Sequence, residues 1–558
     1  MVDSDTGSNA EAGKPVPPVG GPPYPPVGGP PVPPVGGPYA WYVLALLVLV
    51  YVMNFIDRQI MSILAEDIKR DLGLSDSELG FLYGTAFAVF YALFGVPIGR
   101  LADNWVRTRL LALGLTLWSG MTALSGLASS FSQLSLARIG VGVGEATAGP
   151  SAYSMISDWF PKERRATALS IYAAGLYLGG GVSLLIGAVV VQGWNTAYPG
   201  GGPLGLVGWQ AAFMAVGLPG LLLALWVATL IEPIRGRADG LPPPVPMPGR
   251  AIMRSFMADL ASVIPPLTLV NMALLGRRAL LENVAALALV AGLVAALVHV
   301  TGEVPQFVAV GTGLYAVISW AQSIKRRDKP TYEMIWGTPA FVLTILGFGS
   351  VSFVGYSVGF WAAPYALRTF VEPLAASGAA VPWYATREAM AFILGGGGAL
   401  GGFVGTIMGG LLGDWAKKRH PSGRIMIGSL ATLGPAPFIW MQYTTSDIVI
   451  FFLCFAPTAV FGAMYVGVAA ATTQDLVLPR MRGAATATFF VGTALFGLGL
   501  GPWFTGYVSK LSGNLGTGVL ALLLMTPFTI VSLYLVYRWL PAAEASRLDR
   551  ARAAGEAI

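Results

Sequence analysis

An α-helix needs about twenty consecutive apolar residues to cross the hydrocarbon core of a bilayer, and this chain of 558 residues repeats such runs almost throughout its length. Six lie near 40–64, 78–101, 108–128, 132–158, 166–192 and 209–231, and six more near 338–367, 385–413, 424–442, 447–475, 484–509 and 517–539. The chain therefore reads as an all-α membrane protein. Composition agrees, with 55% hydrophobic and 11% charged residues against roughly one quarter charged in a soluble domain. The formal charge of +6 does not signal a nucleic-acid partner, because Lys and Arg sit in short runs beside the apolar segments.

Those basic residues mark alternate loops. Arg100, Arg107 and Arg109 follow the second run, Lys162, Arg164 and Arg165 the fourth, and Arg235 and Arg237 the sixth, whereas the loop 193–208 has none. The positive-inside rule then places both termini in the cytoplasm, and a bacterial inner membrane is the expected location. The connector 234–336 is too long and apolar for an ordinary loop. Its runs 279–300 and 304–322 flank Thr301-Gly302-Glu303, with Arg277-Arg278 before and Lys325-Arg326-Arg327 after. That pattern predicts a transmembrane hairpin, fourteen spans in all, with a re-entrant or interfacial hairpin as the alternative. The stretch 255–275 reads as a helix on the membrane surface. Residues 1–38 repeat Pro-Pro-Val-Gly-Gly-Pro without an apolar face and read as a disordered cytoplasmic tail. Residues 39–233 and 337–541 are expected to form two six-helix bundles, followed by a cytoplasmic C-terminal tail at 542–558.

The two halves share a motif. Gly99-Arg100-Leu101-Ala102-Asp103 with Arg107, and Gly410-Leu411-Leu412-Gly413-Asp414 with Lys418, both read Gly-x-Leu-small-Asp-x-x-x-basic, each at the turn between the second and third runs of its half. This resembles the signature loop of the major facilitator superfamily, and Arg138-x-x-x-Gly142-x-Gly144 resembles that superfamily's fourth-helix motif, often found in proton-coupled members. Gly497 with Gly501-Pro502 looks like its glycine-proline motif displaced to span eleven. The resemblance implies two six-helix bundles that rock around a central cavity. Asn54-Phe55-Ile56-Asp57-Arg58, Arg138 with Glu145, and Gly359-Phe360-Trp361-Ala362-Ala363-Pro364 further resemble the Spinster family. That likeness implies export of lysophospholipids or sphingoid phosphates such as sphingosine-1-phosphate. The hairpin and the proline-rich tail depart from the twelve-helix pattern.

Asp57, Arg58, Arg138 and Glu145 interrupt apolar runs, where ionisable residues face a partner or a water-filled cavity and are functional candidates by default. At 1.5 Å per residue, Asp57 lies about 10–12 Å and Arg138 about 9 Å from the outer ends of their spans, so their depths agree. Glu145 follows Arg138 by seven residues, two turns along one face, about 10 Å deeper. Desolvation favours the protonated carboxyl and a nearby guanidinium the carboxylate. Asp57 and Glu145 are thus the expected proton sites, and Arg58 and Arg138 their partners or the partners of an anionic headgroup. Asn54, Tyr83, Phe87, Tyr356, Phe360 and Trp361 are expected to line an amphipathic cavity. Gly99, Asp103, Arg107, Arg109, Gly410, Asp414 and Lys418 are expected to form cytoplasmic locks between the bundles.

A membrane-embedded enzyme is the rival class, yet the nucleophile–base or metal pattern it needs is not evident. His299 and His420 lie at helix ends without matching partners, and one cysteine, Cys454, excludes a disulfide or a multi-cysteine metal cluster. No metal or cofactor is expected, only a proton gradient, membrane lipid and a small amphipathic substrate, with the chain a monomer. A proton-coupled carrier of small organic anions or drugs is the alternative within transport.

Overall fold

The computed structural model describes residues 33–240, 247–378 and 380–556. Among these residues every regular element is helical. Most of the expected 1–38 tail lies outside the described residues, and Pro38 already opens α1 (Pro38–Leu72). Proline suits this first position because its missing N–H has no helical partner there. Gly73 ends α1 in the left-handed region at φ 65°, its N–H donating to the Lys69 carbonyl.

The first bundle continues with α2 (Asp76–Asn104), α3 (Arg107–Ser125), α4 (Phe131–Glu145 and Ala148–Trp159), α5 (Lys162–Ala197) and α6 (Gly208–Ala228). Its core packs α1 on α5, α3 on α6 and α4, and α2 on α4. The connector supplies α7 (Gly249–Val263), α8 (Leu267–Leu274), α9 (Arg277–Thr301) and α10 (Val304–Arg327). The second bundle holds α11 (Pro339–Ala376), α12 (Arg387–Arg419), α13 (Gly423–Leu433 and Pro435–Thr444), α14 (Ile448–Asp475), α15 (Pro479–Ser512) and α16 (Leu515–Ala545), followed by α17 (Arg547–Ala553). Here α11 packs on α16 and α15, and α12 on α13 and α14.

All fourteen expected runs are helical, and eleven helices, or twelve if the bent pair α7–α8 counts as one, are long and apolar enough to cross a membrane. The three that fall short are α3, which opens on Arg107 and Arg109, and the split helices α4 and α13. The sequence reading took α4 as unbroken. It breaks after Glu145, where Pro150 has no N–H to offer the Ala146 carbonyl and Thr147 Oγ1 donates to the neighbouring Gly144 carbonyl at 2.8 Å. The expected surface helix at 255–275 is two helices bent by 105°. Within 542–556, α16 runs on to Ala545 and α17 packs back on the second bundle: Ala551 is fully buried, and Arg550 donates to Thr338 at the start of α11.

The two ends of the molecule differ. At the end carrying Asp76, one continuous apolar core joins both bundles, from Leu79 and Leu82 through Phe360 and Trp361 to Trp503 and Leu515. At the end carrying Asp103, the second bundle has a core of its own around Phe341, Phe348 and Leu533. The bundles are closed together at the Asp76 end.

Candidate functional site

The four intramembrane charges converge, but not in the expected pairs. Arg58 Nη2 donates to Glu145 Oε2 at 2.5 Å, joining α1 to the broken end of the first α4 segment. Arg138 Nη1 donates to the backbone carbonyl of Asp57 at 3.3 Å and its Nε to that of Leu82 at 3.5 Å. The expected agreement in depth between Asp57 and Arg138 is therefore realised as a contact with the main chain. The Asp57 carboxylate is fully buried with neither oxygen hydrogen-bonded, and Arg138 Nη2 and Glu145 Oε1 are likewise without a partner. Trp118 and Thr122 of α3 lie beside Asp57 without closing a hydrogen bond. Adjacent residues on a helix point about 100° apart, so Arg58 meets Glu145 while Asp57 turns toward α3.

Aromatic rings cover the Arg58 guanidinium. Its carbon lies 4.5 Å from the Phe87 ring centroid, 4.8 Å from Phe55 and 5.5 Å from Tyr91, cation–π distances that stabilise a buried arginine without neutralising it. Asn54 is buried beside Glu145. Tyr356 of α11 is half-buried and faces Arg58 from the second bundle. Asn54, Phe87 and Tyr356 thus stand around the Arg58–Glu145 pair. Tyr83, Phe360 and Trp361 require a correction, because they close the space between the bundles instead of lining an opening. Tyr83 stacks on Phe360 with centroids 4.2 Å apart, and Trp361 Nε1 donates to the Pro502 carbonyl at 2.9 Å. Flat aromatic faces from two helices pack more closely than they could around a cavity.

A tyrosine wall was missed. Tyr51 stacks on Tyr172 at 4.4 Å, and Tyr153 meets Tyr172 edge-on at 5.3 Å. Tyr51 precedes Arg58 by seven residues, two turns along one face, so helical spacing alone was enough to find it.

The predicted locks between the bundles are also corrected. Arg107 is fully buried and holds Asp158 at 2.5 Å, Glu232 at 2.7 Å and the Pro233 carbonyl at 2.9 Å, all within the first bundle. The Asp103 side chain is exposed, and Arg235 takes its backbone carbonyl. Arg109 and Lys418 are exposed. Asp414 pairs with Arg424 at 2.8 Å, and Lys417, not Lys418, reaches Glu544 at 2.6 Å, inside the second bundle. Gly99 faces Pro150 of α4, and Gly410 has open space where a side chain would stand. Among the described residues, the ion pairs at this end stay within a bundle or tie a bundle to the connector.

The lock lies at the other end. Arg368 of α11 donates to Glu66 of α1 at 2.7 Å and to Asp76 of α2 at 2.9 Å, and Arg387 of α12 holds Asp67 of α1 and the Ile63 carbonyl. Ser509 of α15 adds a hydrogen bond to Asp76 at 2.6 Å. The signal was visible as opposite signs, acids in the first half and arginines in the second. His420 accepts from the Ser422 N–H at 3.1 Å and stacks on Tyr537, and Cys454 is buried.

The Major Facilitator Superfamily profile matches residues 47–397, more than half of the chain. The chain belongs to the major facilitator superfamily. It is thus an integral membrane protein of a family of transporters. It is 26% identical over 512 residues to an MFS-type efflux pump of Mycolicibacterium smegmatis, covering 91% of this chain and 94% of that protein. A bacterial homologue of the human lysosomal transporter Spinster, in an inward-facing and unoccupied conformation, superposes with a TM-score of 0.62 at 25% identity, covering 92% of this chain and 98% of that one. Protein spinster of Drosophila melanogaster is 25% identical over 200 residues, 36% of this chain and 31% of that protein. Within the superfamily the chain is Spinster-like.

Proposed function

We propose that this protein is a secondary active, alternating-access transporter of an amphipathic anionic lipid, of the lysophospholipid or sphingoid-phosphate class, driven by a proton gradient and needing no cofactor. The observation that carries the reading is the uneven pairing at the centre: Arg58 is satisfied by Glu145, whereas the buried Asp57 carboxylate has no partner and Arg138 keeps one nitrogen free. An ionised carboxylate left alone in a low-dielectric interior is unfavourable by several kcal/mol. Asp57 therefore takes up a proton when the bundles close over it and releases it when water returns. Glu145 is the second site, and its protonation frees Arg58. Either freed guanidinium pairs with an anionic headgroup, and the wall of Tyr51, Tyr153 and Tyr172 accepts the apolar chain. The Spinster likeness supports the lipid class, and the basic loops support cytoplasmic termini for a carrier we take to be a monomer of the inner membrane. The likeness to an efflux pump over nearly the whole chain favours, as a second reading, export of small organic anions or drugs through the same cluster.

Flux of lysolipid, sphingoid phosphate and a hydrophilic anion in one vesicle preparation, with and without a pH gradient, tests the proposal. The two lipids should move and the gradient should accelerate them, an acceleration lost when Asp57→Asn and Glu145→Gln are combined. Movement of the hydrophilic anion alone removes the lipid assignment. Undiminished pH dependence in the double variant removes the proton role.

A further inference from the structure

The connector hairpin lies across the line where the two bundles meet. Glu303, in the turn between α9 and α10, accepts from Ser77 of α2 at 3.0 Å and from Lys510 of α15 at 2.9 Å, so a single carboxylate oxygen is shared by the two bundles. One turn on, Gln306 donates to the Gly499 carbonyl of α15 at 3.3 Å, and the single hydroxyl proton of Thr85 of α2 is shared between Gln306 Oε1, at 2.6 Å, and that same carbonyl. Both helices widen into π-turns beside these contacts, Phe81–Thr85 in α2, which ends on Thr85, and Ala494–Leu498 in α15, which Gly499 follows. A π-turn leaves backbone groups outside the regular ladder and often marks a functional site. Phe307 packs edge-on against Trp503 with centroids 5.0 Å apart. Lower down, Gly313 sits where an added Cβ would lie 3.5 Å from Val89 of α2 and 2.9 Å from Leu495 of α15.

The holds on the two bundles are unequal. Ala316 of α10 is buried in one apolar cluster with Val89 and Leu93 of α2, and α7 also packs on α2, where Asp259 pairs with Arg100. Against α15 the hairpin tip has the Lys510 pair, the Gly499 bond and the Trp503 edge, and α10 meets Leu495 of α15 at the edge of that same cluster. Lys510 is half exposed, and a cavity of about 270 Å³ opens beside it, lined by Ser75, Glu78, Phe131, Glu303, Gln306 and Lys510. Water reaches this pair, which makes it weak enough to exchange.

We propose that the connector hairpin is a clamp selective for the conformation closed at the Asp76 end: it rides with α2, and opening that end requires it to release Lys510 and Gly499 of α15. The expectation of a hairpin in the connector thereby acquires a role, that of setting how often the carrier opens.

Labelling of Ser62→Cys in a Cys454→Ser background measures that opening without a transported substrate. Ser62 is buried, donating to the Phe360 carbonyl across the closed face, and a hydrophilic maleimide reaches its replacement when the face parts. In solubilised full-length protein, Lys510→Gln should raise the labelling rate about threefold, the size expected of a solvent-reached ion pair. Linking Gly313→Cys to Val89→Cys with a short bifunctional thiol reagent should leave the rate unchanged, and linking Gly313→Cys to Leu495→Cys should suppress it at least tenfold. An unchanged rate in Lys510→Gln overturns the clamp. Suppression by the α2 link with none by the α15 link overturns the claim that the hairpin rides with α2.

Discussion

The Asp76 end and the Asp103 end of this carrier are both rich in ion pairs, yet among the described residues only those at the Asp76 end join the bundles. At the Asp76 end the acids Glu66, Asp67 and Asp76 of the first bundle meet Arg368 and Arg387 of the second. At the Asp103 end Arg107 is wrapped by Asp158 and Glu232 of its own bundle, and Lys417 by Glu544 of its own. Opposite signs on opposite bundles make a lock, and opposite signs within one bundle make a rigid body. A carrier that rocks needs both: bodies that hold their shape and an interface that parts.

Removing Arg107 should produce the largest effect and should show which kind of contact the Asp103 end holds. Its guanidinium is fully buried among two acids and a carbonyl, and leaving such partners unpaired costs about 3–5 kcal/mol. Arg107→Ala is expected to lower the unfolding midpoint of the solubilised protein sharply, followed by tryptophan fluorescence, while the labelling rate of Ser62→Cys stays as it was. A fall in labelling with unaltered stability would mean that Arg107 locks the bundles after all, because losing a lock at the Asp103 end favours the state closed at the Asp76 end.

Arg368 should behave in the opposite way. It bridges α11 to α1 and α2, so Arg368→Ala weakens the interface and leaves each bundle intact. The expected result is a labelling rate of Ser62→Cys about tenfold higher, equivalent to about 1.4 kcal/mol, with little change in the unfolding midpoint. No change in rate would place the closure of this end in the apolar contacts of Tyr83, Phe360 and Trp361 instead.

Much of this was legible from the chain alone, because span length and basic loops follow from hydrocarbon thickness and charge. The hairpin Arg277–Thr301 and Val304–Arg327 falls within a few residues of its expected position. The four buried charges were found for the same reason: little but function keeps an arginine in an apolar run. Their pairing was not legible. Asp57 and Arg58 are neighbours, and which of them faces Glu145 depends on the rotation of α1, which no local pattern records. The lock at Arg368 and Arg387 was overlooked for a different reason. Positive-inside reading sums the basic residues of each loop, whereas this interface depends on acids in one half facing bases in the other, 292 residues apart for Asp76 and Arg368. The motif's spacing singled out Lys418, four residues after Asp414, whereas the helix face toward Glu544 belongs to Lys417.

The smallest expected effect concerns the tie between the connector and α15 at the Asp103 end. Arg480 at the start of α15 donates to Asp328 at 3.0 Å, just before the short helix Lys329–Ile335, and also to Glu556. Partial burial pushes the Asp328 carboxyl upward, but hydrogen bonds from Arg480 and Thr331 outweigh it and hold the group below its ordinary value. The carboxylate is therefore favoured by folding, so its contribution is complete above the usual carboxylate range near pH 4. It disappears as the pH falls through the lowered folded value. Both side chains are well exposed, and solvent screening limits the contribution to about 0.5 kcal/mol. Amide hydrogen exchange in Lys329–Ile335, corrected for its intrinsic pH dependence, should accelerate about twofold between pH 6 and pH 3, and Asp328→Asn should flatten that profile at the faster level. If Arg368→Ala also changed this exchange, the two ends would be coupled through the connector, and the distinction between lock and rigid body would fail at this junction.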